Sequence, residues 1–127
     1  MFGMKSNSAK VAIKLVSSAL QNQLNLADSS LGRLAAARDN FALGYVLGFS
    51  NGFCQNLEIG DSAEAFQVLC AVCTDLADSD GVNIIRQCMD LHTNAEFTKG
   101  MSAGVFEAFK YHISKSPPLD LVTYLQR

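Results

Sequence analysis

Glycine recurs every fourth residue inside two apolar stretches of this chain, and that spacing narrows the folds open to it. The first stretch reads Phe41-x-x-Gly44-x-x-x-Gly48-x-x-x-x-Phe53; the second reads Phe97-x-x-Gly100-x-x-x-Gly104-x-x-x-x-Phe109. They match at an offset of 56 residues with four identities in thirteen positions, and Gly52 answers Ala108, another small residue. Continued without a gap, the match sets Leu57 on Ile113, Glu64 on Asp120, Phe66 on Val122 and Leu69 on Leu125, so the expected repeat is 41–69 against 97–125. Glycine inside a helix costs about 0.5–1 kcal/mol relative to alanine. Spacing of four puts Gly44, Gly48 and Gly52 on one ridge and Gly100, Gly104 and Ala108 on another. A ridge bare of side chains lets a second helix approach closely and gains dispersion contacts along the crossing. The expectation is that the two ridges cross within one chain about a pseudo-twofold. The alternative is that one ridge meets its own copy in a homodimer.

The remainder of the chain also reads as helix. No period-2 alternation is sustained, and β-branched residues do not cluster for long. A first helix is expected from Ser8 to about Leu24, its stripe made of Val11, Ala12, Leu15, Val16, Ala19 and Leu20, with Lys10, Lys14, Ser17 and Gln21 turned outward. Asp28, Ser29 or Ser30 then caps a second helix reaching about Cys54, kinked near Arg38-Asp39-Asn40. Its later half, Phe41 to Phe49, is apolar on every side and belongs at the centre. A third helix starts after Gly60, with Asp61 or Ser62 as cap and Glu64 placed for a capping box, and carries Phe66, Leu69, Cys70, Cys73, Leu76 and Ala77 to about Asp78. Ser79 or Asp80 caps a fourth, bearing Ile84, Ile85, Cys88, Met89 and His92. Thr93 and Glu96 mark the next start, and Pro117-Pro118 ends that helix, since proline disfavours helix at the residue before it. A short helix from about Leu119 closes the series. The expected fold is all-α, one domain over 1–127, a compact bundle of five or six helices built as two related halves.

Composition narrows the function. With 127 residues, 49% apolar and 17% charged, the chain can bury one real core. Formal charge is −2 and the ten basic residues are scattered, the loosest cluster being Lys5, Lys10 and Lys14. Nucleic-acid binding needs a concentrated basic surface, so none is expected. The longest apolar run, Phe41 to Phe49, is far short of the ~20 residues of a membrane span. Val11 to Leu20 is interrupted by Lys14 and lacks a small-residue cleavage site after it, so a cytoplasmic location with reduced thiols is expected.

The sharpest chemical pattern is Cys70-x-x-Cys73 followed by Cys88-x-x-x-His92 on consecutive helices. Each pair shares a helix face, and a hairpin could join the faces into a Cys₃His set, typical of structural zinc. Two features oppose zinc: the pairs lie at distances from the turn that differ by roughly 5 Å of helix rise, and such knuckles favour glycine-containing loops over mid-helix positions. Cysteine also packs as a small hydrophobe, and Cys70 and Cys73 fall where the apolar stripe requires one. Cys88 and His92 read as nucleophile and base lack an orienting third group. Asp75, Asp78 and Asp80 precede Gly81, but Leu76 and Gln87 stand where a calcium loop needs its first and last ligands. No phosphate loop, di-iron pair or nucleophile elbow is present.

The leading expectation is therefore a non-enzymatic protein-interaction or adaptor domain, homodimeric, with no cofactor and no catalytic set. Met1, Phe2 and Met4 are candidate partner contacts. The alternative is a small helical metal- or ligand-binding protein with zinc at Cys70, Cys73, Cys88 and His92. A third reading, an enzyme using an apolar pocket between helices, would be favoured by a deep cavity lined by Tyr45, His92 or His112.

Overall fold

The computed structural model describes residues 7–77 and 81–127. Seven helices are present among them: α1 (Asn7–Leu26), α2 (Leu31–Ala36), α3 (Asn40–Asn56), α4 (Ser62–Ala77), α5 (Gly81–Asp90), α6 (Ala95–Ser114) and α7 (Asp120–Leu125). No strand occurs among the described residues. The count exceeds the five or six read from the sequence because the helix expected from about Ser30 to Cys54 is two helices. Arg38 adopts a left-handed backbone at φ 55°, which ends the first piece. The Asp39 side chain then accepts from the Ala42 N–H at 3.2 Å and starts the second piece.

The other helix starts follow the same capping chemistry. Ser30 accepts from the Arg33 N–H at 3.2 Å to begin α2. Asp61 accepts from the Ala63 N–H at 2.9 Å ahead of α4. At α6 the cap is Asn94, accepting from the Phe97 N–H at 3.0 Å, rather than Thr93. The expected caps Ser79 and Asp80 lie outside the described residues, as do Asp78, Lys5, Met1, Phe2 and Met4.

Helix α3 is the middle of the structure. Tyr45 and Phe49 are fully buried, and Phe53 and Cys54 nearly so, in keeping with a segment apolar on all sides. Helices α1, α2, α4 and α5 all touch α3, and α6 runs along it as the most extensive contact between any two described helices. α1 buries Ala9, Ala12, Val16, Leu20, Gln23 and Leu24, so its inward face is rotated from the expected stripe. Val11 and Leu15 are left 48% and 37% exposed. On α4 the inward residues are Val68, Leu69, Val72 and Cys73, and Phe66 points outward.

At its glycines the contact between α3 and α6 is made by backbone. A Cβ on Gly44 would strike the Phe97 carbonyl oxygen, and one on Gly48 would strike that of Met101. Conversely, a Cβ on Gly100 would strike the Phe41 carbonyl oxygen, and one on Gly104 that of Tyr45. Advancing four residues along α3 advances four along α6, so the two helices run parallel. Each glycine Cα thus faces a carbonyl oxygen across the crossing, the geometry of weak Cα–H···O bonds. Beyond them, a Cβ on Gly52 would lie 2.8 Å from that of Ala108.

Candidate functional site

Three groups of residues could carry function: the thiols of α4 and α5, a buried polar cluster at the start of α7, and the outer face of α6. Chemistry separates them.

All four cysteines are free thiols. Cys73 and Cys88 are buried, and Cys70 is half-buried on the same helix as Cys73. Burial, with the neighbouring Cys88 and Cys70 sulfurs adding to it, pushes the Cys73 thiol up to about 12. Burial likewise lifts Cys88 to about 11. Both sulfurs are therefore protonated at neutral pH, which opposes their use as nucleophiles. His92 is exposed, its Nδ1 turned to the Met89 carbonyl oxygen 3.1 Å away. Among the described residues no three His, Cys, Asp or Glu side chains come together as a metal ion would require. Asp75 of the acidic turn accepts from the Ser17 hydroxyl at 3.0 Å, joining α4 to α1.

The polar cluster centres on Tyr45. Its hydroxyl donates to Glu107 Oε1 at 2.5 Å and accepts from Gln23 Nε2 at 2.9 Å. Tyr45 is fully buried, and Gln23 and Glu107 are 1% and 3% exposed. Glu107 also accepts the backbone N–H of Leu119 at 3.2 Å and of Asp120 at 2.8 Å. Gln23 Oε1 accepts those of Leu121 at 3.0 Å and Val122 at 3.2 Å. Four backbone donors at the start of α7 thus end on two side chains from α1 and α6. The Leu119 side chain supplies no cap, so these donors would otherwise be orphaned in the interior. Burial first, and the Glu107 hydrogen bond second, hold the Tyr45 phenol far above its ordinary value. The Tyr45 proton stays in place, and the cluster serves as a buried cap that fastens α7. Sequence reading missed it: Glu107 sits in an ordinary polar slot of a helical pattern. The available signal was the lack of a capping side chain immediately after Pro117-Pro118.

The outer face of α6 is apolar and uncovered. Phe106, Phe109 and Ile113 are 60%, 51% and 65% exposed and fall on one stripe with Ser102. Beside them a groove of about 460 Å³ runs between α3 and α6, with Gly52 and Gln55 on one wall and Met101 and Val105 on the other. The Lys110 ammonium sits 5.8 Å from the Phe106 ring centre. Of the three residues named for a pocket, Tyr45 is sealed in the interior, while His92 and His112 are exposed. No helix among the described residues is long and apolar enough to cross a membrane. Comparison with described protein families, with curated proteins and with solved structures finds no match for this chain.

Proposed function

We propose that this chain is a protein-interaction domain that associates with a second copy of itself through the outer face of α6. The observation that carries the reading is an inequality between corresponding positions. We take 41–69 and 97–125 as duplicated halves crossing at glycine-lined ridges; the glycine-to-carbonyl contacts are reciprocal at the offset of 56, Gly44 on Phe97 answering Gly100 on Phe41. Under that correspondence Phe106, Phe109 and Ile113 stand where α3 has Ser50, Phe53 and Leu57. Ser50 and Phe53 are buried and Leu57 is half-buried, with the Phe53 ring against Phe49 and against Tyr111 of α6. Beyond α3, α6 meets chiefly the six-residue α7, near its end. The stripe exposed on α6 thus answers positions that are buried or half-buried in the other half. Two copies related by a twofold would bury the same stripe on each, as an isologous dimer does. Each half-exposed aromatic or isoleucine side chain gains on the order of 1 kcal/mol when the rest of its apolar surface leaves water.

Sedimentation equilibrium of the full chain tests this. The expected result is a dimer at micromolar concentration and a folded monomer for the double variant Phe106→Ser, Ile113→Ser. A wild-type chain that stays monomeric at about 100 µM, where a weak specific dimer would already form, rejects self-association.

A further inference from the structure

A second groove, separate from the α6 stripe and independent of the reading above, lies between α1, the end of α6 and the segment that leads into α7. Its volume is about 580 Å³, within the range of roughly 300–1,000 Å³ typical of small-molecule sites. One wall is a single face of α1, carrying Leu15, Ser18, Asn22 and Leu26; the opposite wall is Lys115, Pro117, Pro118 and Leu119. The two prolines fix their own backbone, so that wall is set before anything binds.

Two features of the lining point to one class of ligand. The first is apolar surface left open to solvent inside a concavity: Leu15, Leu26 and Leu119 are 37%, 62% and 50% exposed. The second is charge. Among the described residues Lys115 is the only formally charged one lining the groove, and no acidic side chain of theirs lines it. Among the described residues Lys99 with Glu96 is the ion pair present, and the Lys115 ammonium has none. Ser18 and Asn22, four apart on α1 and therefore neighbours, likewise offer a hydroxyl and an amide with no hydrogen-bond partner among the described residues. One ammonium and two neutral groups able to donate, beside exposed leucines, suit a molecule with an apolar chain and one negative oxygen group.

We propose that this groove binds a small amphipathic monocarboxylate, its chain along Leu15, Leu26 and Leu119 and its carboxylate paired with Lys115. Ser18 and Asn22 donate to the same ligand from the α1 wall. The left-handed backbone of Lys115, at φ 61°, places that residue just beyond the last turn of α6 at the groove's edge.

Isothermal titration of the full chain with sodium decanoate and, separately, with the neutral decanol tests the proposal. Decanoate should saturate a single site at or below about 1 mM, and decanol should bind more weakly. Lys115→Gln keeps the length of the stem and removes the charge; it should weaken decanoate about three- to fivefold, as expected for one exposed ion pair, and leave decanol unchanged. Ser18→Trp fills the groove from an exposed position and should abolish binding of both, with the melting temperature of each variant confirming the fold. Decanoate binding that is unchanged in Lys115→Gln, that survives Ser18→Trp, that is matched by decanol, or that is absent would each overturn the proposal.

Discussion

Helices α3 and α6 approach backbone to backbone at a row of glycines, whereas α4 and α5 do so at a single one, Gly81. In the first pair, four glycines each leave room for a carbonyl oxygen of the opposite helix. In the second, Gly81 alone sits tight, 2.9 Å from the Thr74 nitrogen if given a Cβ, and buried Cys73 and Cys88 fill the space nearby. The contrast shows which sequence signals carry information. Glycine in a helix is locally unfavourable, so its recurrence requires a reason from outside the helix. Cysteine is content as a small core residue, so its spacing requires no reason beyond the core.

The strongest way to break the contrast is to add volume to each contact. Gly48→Leu should be the most damaging substitution in the chain, because the added carbon meets the Met101 carbonyl and Cα, and backbone cannot turn aside as a side chain can. A loss above roughly 4 kcal/mol, or no cooperative melt at all, is expected, beyond the usual 1–3 kcal/mol of overpacking. Even Gly48→Ala should lower stability measurably. A thermal melt of Gly48→Leu that overlays the wild type would show that the helices are not held this closely.

Next in size is the buried polar cluster, which couples the first helix to the last. Glu107→Gln replaces an acceptor of three hydrogen bonds by a group that must donate with one end, leaving a buried donor or acceptor unpaired. A loss of about 2–3 kcal/mol in urea unfolding is expected. Amide exchange at Leu119 and Asp120 should quicken in the folded state. Unchanged exchange there would mean that α7 is capped by something else.

The helical class, the burial of 41–49 and the caps Ser30 and Asp61 were legible, because they depend on local rules: periodicity, side-chain acceptors before helices, proline after them. The break at Arg38 was read only as a kink, since nothing in Arg-Asp-Asn announces a left-handed arginine. The α1 stripe was rotated because both Val11 and Ala12 are apolar, and only packing against α3 and α4 selects Ala12. The Tyr45 cluster joins residues 23, 45 and 107, and pairings at such separations leave no trace in local spacing. Likewise, the exposure of Phe106 and Phe109 depends on which neighbours α6 lacks, a property of tertiary structure alone.

Where a single glycine makes the close approach, the effects should be smaller. Gly81→Ala would place a carbon 2.9–3.1 Å from Thr74 and Cys73 backbone atoms, asking a shift of a few tenths of an ångström between two helices. About 1–2 kcal/mol of destabilisation is expected, at the lower end of the overpacking range. A loss equal to that of Gly48→Leu would erase the distinction between the two contacts.

The thiols should report the same contact through pH. Cys73 and Cys88 are raised by burial to about 12 and about 11, from an ordinary thiol value of 9.0. A raised value favours the protonated group in the folded state. The associated stability is complete below pH 9 and is lost as pH climbs toward 11 and 12. The melting temperature should therefore fall across that alkaline window, less steeply for Cys73→Ala. At pH 8 a thiol-specific disulfide reagent should modify half-buried Cys70 well before Cys73. Equal rates at both would place Cys73 in solvent and remove it from the core.

The smallest effect should have the opposite sign, and it isolates what glycine costs when nothing requires it. Gly32 lies inside α2, and a Cβ built there meets nothing within 4 Å. Gly32→Ala should therefore stabilise the chain by about 0.5–1 kcal/mol, the helix-propensity difference without opposing contacts. The same one-carbon addition at Gly48 should destabilise, so the pair of variants compares identical chemistry with and without a facing backbone. If both alanines shift stability in the same direction, helix propensity rather than close approach governs the glycines of α3, and the parallel crossing loses its physical basis.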